Sequence, residues 1–444
     1  MKLSLRALQY ITWVLVCICC EPRKAETPPP AAADTVQTVQ KQTVTLPQPY
    51  ATESVKKFSN VVGWDENITP TAPQGFTVTR FADGLKNPRW IYVAPNGDIF
   101  VSEANTEPKI PEKVSNAVSG KNKSQNLGKS ANRITLFKDT DNNGTIDQRH
   151  VFLSGLNQPF GMLILNGFFY VANTDGVWQY PYKEGQTTMQ GTGKKIMSLP
   201  AGGYNNHWTR NIIANHTGTK IYVSVGSGSN SAEHGFENEI RRANILEINP
   251  DGTGERIVAA GLRNPVGMDL QPGTHTLWTA VNERDDLGDD LVPDYITSVK
   301  DGGFYGWPYT YFGTHDDPAV KEPLPDSLQH VIVPDVPLGP HTASLGLAFY
   351  DAKAFPGHYH GGAFVGQHGS WNRSTLSGYK VIFVPFVNGV PGTPEDFLTG
   401  FINDEAKGEV HGRPVCVAVT SDGTLLVTDD VSNIIWRVSV AKAP

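Results

Sequence analysis

Cysteine is scarce. The 444 residues hold 4, and three of them, Cys17, Cys19 and Cys20, lie in one short stretch near the N-terminus. Cys416 stands alone beyond that stretch, which excludes an intrachain disulfide there and leaves core size to supply stability. No Cys-x-x-Cys-His stretch occurs, which excludes a covalently attached haem. Positive charge is also short. The formal net charge is −7 and no basic run suits a phosphate backbone, so nucleic acid is not an expected partner. Long apolar runs are missing as well: "YITWVLVCIC", Tyr10 to Cys19, is too short to span a bilayer comfortably.

That run follows Lys2 and Arg6, and a positive then apolar order reads as a secretory signal over residues 1–20. The cysteines at its end sit where a lipid-modified cysteine would lie, so a lipoprotein anchor to a membrane belongs to the expectation. Residues 21–58 are polar, proline-rich and without periodicity, the composition of a flexible linker. The protein is expected to be exported, periplasmic or extracellular, with one folded domain over residues 59–444.

What is plentiful is glycine (44), proline (32) and aromatic residues, which suits many short strands joined by turns. A strand-turn-strand unit recurs, beginning at Gly84, Gly155, Gly261 and Gly412, with looser copies from His207 and His341. Each copy has a polar or proline-bearing opening, an apolar strand, a turn rich in Gly, Asn or Asp, and a second apolar strand. Six copies at this spacing predict an all-β fold, a six-bladed β-propeller. In that architecture the openings converge around one channel, which would gather Arg89, His207, Arg263, Asn264, His341 and Arg413.

Two acidic stretches invite a cation. "NERDDLGDDL", residues 282–291, packs five carboxylates and one arginine into ten positions. "DTDNNGTID" places Asp139, Asp141, Asn143 and Asp147 as alternating oxygen donors around a turn at Gly144, the beginning of an EF-hand-like loop. Its closing glutamate is absent, since His150 stands there. A structural calcium ion is the expectation at this second loop.

The stretches "NHWTRNI", "GLRNPVGMDL", "VNERDDLGDDLVPDYIT", "GGFYGWPY", "HGSWNRSTLSGYKV" and "GRPVCVAV" occur in one order. Together they resemble the soluble quinoprotein sugar dehydrogenases, in the branch called sorbosone or aldose sugar dehydrogenase, over about residues 60 to 440. The resemblance implies a six-bladed propeller that uses pyrroloquinoline quinone (PQQ) with calcium and oxidises sugars at the anomeric carbon. It implies His207 as catalytic base, suited by a neutral imidazole. It further implies Arg263 and Asn264 on the quinone oxygens and Arg413 on a cofactor carboxylate. Asp285 and Asp286 align with the pair whose main-chain carbonyls hold the cofactor calcium.

The chain departs from the family at several points. Ser227 stands where the glucose enzymes place an aspartate near the base, which leaves Glu233 or Glu237 as candidates to orient His207. His411 stands in place of a second arginine, so His341, His368 and Arg373 become candidates for carboxylate recognition, with Trp307 packing at the cofactor rim. Electrons would pass to an external acceptor: a quinone, a cytochrome or a dye. Two other readings stand beside this one. A calcium-dependent propeller hydrolase, lactonase-like, would hold its metal with carboxylates in the channel. A non-catalytic binding module would need no arginine-asparagine pair beside a histidine.

Overall fold

The computed structural model describes residues 34–37, 43–107, 121–125, 129–141 and 143–441. The expected signal over residues 1–20, with Cys17, Cys19 and Cys20, lies outside the described residues. No described helix is long and apolar enough to cross a membrane. Strands and turns make up nearly everything else. The described helices are one α-helical turn, Lys121–Ser124, and three short 3-10 turns.

Six sheets of four or more strands follow one another along the chain. Their first strands are Pro88–Val93, Met162–Leu165, Arg210–Ala214, Asn264–Leu270, Ala348–Phe349 and Pro414–Val419. Each belongs to one of the recurring strand-turn-strand units, with the antiparallel second strand next to it. In the fourth sheet, for instance, Asn264 pairs with Asn282 and Leu270 with Leu277. The sixth sheet joins the two ends of the domain: Ile434–Val440 pairs antiparallel with Phe76–Ala82, Val438 opposite Val78.

The second strands Ile99–Glu103, Ala363–Gln367 and Leu425–Asp429 are buried at every position. A neighbouring sheet on each face leaves no polar side, which is why these segments do not alternate. Consecutive sheets touch through their first strands. Ile164 N–H donates to the Tyr92 hydroxyl at 3.1 Å, Gly161 N–H to the Arg210 carbonyl at 3.0 Å, and Asn211 Nδ2 to the Val266 carbonyl at 2.9 Å. Phe349 N–H donates to Asp269 Oδ2 at 2.7 Å, and the last sheet meets the first where Ile91 N–H faces Cys416 Sγ at 3.4 Å. Glycine permits the closest of these approaches. A Cβ on Gly346 would lie 2.4 Å from the Val415 carbonyl oxygen.

The end of the expected linker is corrected by the structure. Leu46 is buried to 2% exposure in the same hydrophobic cluster as Leu287 and Leu291. Tyr50 N–H donates to the Leu287 carbonyl at 2.8 Å, Gly288 N–H to Ser54 Oγ at 2.8 Å, and Val55 N–H to Asp289 Oδ1 at 3.1 Å. Phe58 stacks on Trp371 at 5.7 Å. Residues 46–58 thus form a strap over the acidic 283–290 loop. Their hydroxyls and amides meet backbone groups and carboxylates that the loop would otherwise leave to water.

Candidate active site

His207 stands at the entrance of the strand Arg210–Ala214, half-buried. Gly226, just after Ile221–Val225, lets it approach the next sheet. A Cβ on Gly226 would lie 2.6 Å from His207 Cβ and 2.3 Å from Asn264 Oδ1. The absent side chain therefore brings His207 and Asn264 together. His207 Nδ1 lies 2.9 Å from the Ser227 carbonyl and 3.0 Å from the Ser227 hydroxyl. A carbonyl only accepts, so Nδ1 carries the hydrogen and Nε2 keeps its lone pair. Burial first, then the Arg263 guanidinium, push the imidazole pKa down to about 3. Ser227 therefore orients the histidine directly. Glu233 is instead taken up by the Asn230 and Ser231 amides at 3.1 and 2.7 Å. The Glu237 carboxylate faces Asn238 Nδ2 at 3.4 Å.

Arg263 is buried, and its guanidinium spans two loops. Nε donates to the Asn230 carbonyl at 3.0 Å, one terminal nitrogen to the Glu283 carbonyl at 2.5 Å, and the other to Asn230 Oδ1 at 2.9 Å. Trp307 Nε1 donates to the same Asn230 carbonyl at 3.0 Å, which sets the indole beneath this loop. Asn230 is the hub that sequence reasoning missed. The partners of its side chain and carbonyl lie 33 to 77 residues away, so no local motif signals it.

The acidic loop is neutralised largely from within the chain. The Asp285 carboxylate faces Arg263 at 3.5 Å and His341 Nδ1 at 3.2 Å, while His341 Nε2 meets the Gly288 carbonyl at 2.9 Å. Both ring nitrogens of His341 therefore donate. Its burial alone lowers the pKa, yet the Asp285 bond and charge outweigh that and raise it. Arg284 reaches Asp317 at 2.6 and 2.7 Å, and Arg373 reaches Asp290 at 2.7 Å. The Asp285 main-chain carbonyl accepts from Arg284 Nε at 2.9 Å and Asn230 Nδ2 at 3.1 Å. An oxygen bonded to a guanidinium does not fit the calcium ligand expected there. Asp286 is exposed with φ 67°, and its N–H bonds Asn372 Oδ1 at 2.9 Å.

Other expected cofactor residues are engaged elsewhere. Arg413 is buried and donates to the carbonyls of His368 (2.8 Å), Gly369 (2.7 Å) and Ser124 (3.1 Å). His411 bonds the Gly63 carbonyl at 2.6 Å and stacks on Trp64 at 4.6 Å. Arg373 clamps the acidic loop, as above. His368 Nε2 bonds Asp430 at 2.8 Å, and Asp430 also pairs with Arg89, whose guanidinium lies 5.5 Å over the Trp208 ring. Burial, then Arg413, hold His368 down to about 4. The Asp139, Asp141 and Asp147 carboxylates do come together, with oxygens within 4.8 Å of one another. Asn143 instead turns its amide nitrogen to Asp141 at 2.9 Å and its oxygen to the Thr145 N–H at 2.7 Å.

Asn264 Oδ1, next to His207, is buried without a hydrogen-bond partner, and so is Arg89 Nε, whose guanidinium lies over the Trp208 ring. A free acceptor next to a neutral imidazole, with one unpartnered N–H left on the Asp430-paired Arg89, fits a polar ring-shaped group such as PQQ.

The backbone is nearly all-β and matches solved structures with a β-propeller fold. It is similar to a Trichoderma reesei carbohydrate-active enzyme of family AA12 (TM-score 0.67, 18% identity, 85% of this chain and 100% of that chain). It is similar to the holo PQQ domain of Coprinopsis cinerea pyranose dehydrogenase (TM-score 0.66, 20% identity, 86% and 100%). A PQQ-bound aldose sugar dehydrogenase from Streptomyces coelicolor aligns at TM-score 0.55 and 15% identity, over 84% and 100%. The chain belongs to the TrAA12-like family, whose model matches residues 70–294 and 326–441. In sequence it is 27% identical over 399 residues to an uncharacterized protein of Borreliella burgdorferi, covering 85% of this chain and 93% of that one. It is 23% identical over 445 residues to the PQQ-dependent pyranose dehydrogenase of Coprinopsis cinerea, covering 84% of this chain but only 56% of the relative.

Proposed function

We propose that this chain is a PQQ-dependent sugar dehydrogenase, with its six sheets as the blades of a closed propeller and His207 as the base. The observation that carries the reading is the state of His207, a neutral imidazole with the lone pair left on Nε2 and the unsatisfied Asn264 Oδ1 next to it. The sugar's anomeric hydroxyl would give its proton to Nε2. Arg263 disfavours a second positive charge on the ring, so the histidine waits in its basic form. Bound PQQ would supply the two-electron acceptor for the hydride of the anomeric carbon. Asn264 and Arg89 would hold it, with Trp208 alongside. The substrate class is an aldose or pyranose sugar, and a separate quinone, cytochrome or dye would take the electrons. Export and a lipid anchor remain part of the same proposal.

Calcium is proposed at the Asp139–Asp147 loop, supported by its three converging carboxylates. The expected outcome is a calcium-dependent rise in the unfolding midpoint that Asp141→Asn abolishes. The hydrolase alternative draws no comparable support. Among the described residues the grouped carboxylates are those of this loop, with half-buried Asp139 and exposed Asp141 and Asp147, and not channel groups.

The deciding experiment starts from protein purified in chelator and given PQQ, with or without calcium, while dye reduction is followed over a panel of aldoses. PQQ-dependent turnover is expected. His207→Ala should retain PQQ binding and lose about 10²- to 10⁴-fold in kcat. Saturable PQQ binding without turnover on any aldose would reject the substrate class. No PQQ binding would overturn the reading and bring the hydrolase forward.

A further inference from the structure

The turn that orients His207 is itself held by a buried carboxylate. The Ser227 hydroxyl, which His207 Nδ1 meets, donates its own hydrogen to the Ser229 carbonyl at 2.6 Å. Glu239 grips the same turn with both oxygens. Oε2 accepts the Gly228 N–H at 2.7 Å, and Oε1 accepts the Ser229 hydroxyl. Ser227 and Ser229 are fully buried at 0% exposure, and Glu239 is 9% exposed. Position 228 admits no side chain, since a Cβ there would lie 2.9 Å from the Tyr204 carbonyl.

The polarity of this chain of bonds runs one way. The Ser229 hydroxyl points at Glu239, and the Ser229 main-chain carbonyl, which can only accept, takes the Ser227 hydrogen. With its hydrogen committed, the Ser227 hydroxyl offers His207 only lone pairs. A tautomer with hydrogen on Nε2 would then set a bare Nδ1 against two acceptor oxygens. The network also returns to the histidine backbone. Arg242, a buried cation within the electrostatic reach of Glu239, donates to Asn205 Oδ1 at 3.0 Å. The same oxygen accepts from Arg210 at 2.8 Å, and Arg210 donates to the His207 carbonyl at 2.6 Å. Burying Glu239 and Arg242 costs desolvation that an apolar turn of the same shape would avoid, so stability alone does not account for the pair.

We propose that Glu239, by holding the turn 227–229 at the Gly228 N–H and the Ser229 hydroxyl, is a positioning residue that keeps the Ser227 oxygens against Nδ1 and so locks His207 in the tautomer with hydrogen on Nδ1 and the lone pair on Nε2. It serves in place of a carboxylate set directly against the imidazole. Keeping the acid one turn removed fixes the ring without drawing a second proton onto it. The role rests on His207 as base, but the tautomer is measurable with no cofactor or substrate present.

The test is ¹⁵N-histidine NMR on the cofactor-free full chain, followed by kinetics with PQQ and sugar. The wild type should show His207 protonated at Nδ1 alone. Glu239→Gln should give mixed tautomers and a kcat lower by roughly ten- to a hundredfold at unchanged KM. Ser227→Ala removes only a hydroxyl, leaves the carbonyl bond and should show a smaller effect in the same direction, which keeps the idea testable if Glu239→Gln does not fold. Retention of the single wild-type tautomer and kcat in both variants overturns the proposal, as does hydrogen on Nε2 in the wild type. Wild-type protein without turnover would count against sugar oxidation, while the tautomer measurement still decides the role of Glu239.

Discussion

A histidine serves as a base only if it is neutral when the substrate arrives, and at His207 burial and Arg263 both act against the charged form. With a folded pKa near 3 against 6.5 for the ordinary residue, the imidazole stays unprotonated through mildly acidic conditions. The profile of kcat/KM should therefore lack an acid limb near pH 6.5 and hold from pH 7 to about 5. A limb centred near 6.5 that disappears in His207→Gln would contradict this. The same shift has a stability consequence of fixed sign. Because the folded pKa is depressed, the unfolded chain binds the extra proton first as pH falls. The stabilising contribution is present above pH 6.5 and is lost as pH drops toward the folded value. His207→Gln should flatten that part of the dependence of the unfolding midpoint on pH.

Among the elements, the strap over residues 46–58 does the most for the site without touching it. It meets the loop at Leu287, Gly288 and Asp289, while Arg263, His341 and Arg373 hold the other side at Asp285, Gly288 and Asp290. The ten acidic-stretch positions that suggested a metal are thus organised chiefly by the chain's own donors. Removing residues 1–58 should lower the unfolding midpoint by several degrees relative to removing residues 1–42. Lost strap hydrogen bonds are worth about 1 kcal/mol each, and exposure of Leu46 about 2 kcal/mol. Equal midpoints for the two truncations would show that the strap bears no weight. The strap was read as linker because Ser, Thr and Glu without periodicity also describe disorder. Its partners lie over 200 residues away.

At the scale of the molecule, the sheet made from both ends holds the arrangement together. Trp436 is fully buried in its C-terminal strand, 5.0 Å from the Trp64 ring and 5.7 Å beneath the Arg80 guanidinium. Trp436→Ala should cost about 3–5 kcal/mol. It should also lower the PQQ affinity measured by titration, because this strand pairs with Leu425–Asp429, and the next residue, Asp430, holds Arg89. Full affinity in a destabilised variant would separate closure from the site.

The order of strands, the six recurring units and the place of His207 at a strand opening were legible in the sequence, because strand-turn-strand patterning is local and each opening residue sits at a fixed step from its strand. Arg263 and Asn264 were legible for the same reason: they open the unit that begins at Gly261. The tertiary structure decided what those residues touch. It assigned Arg413, His411 and Arg373 to protein oxygens, gave the acidic loop internal cations and a strap, and set Ser227 with Glu239 behind His207. These are pairings between distant segments, fixed only when sheets close on one another. Burial then settles which polar groups find a partner within the chain and which, like Asn264 Oδ1, do not.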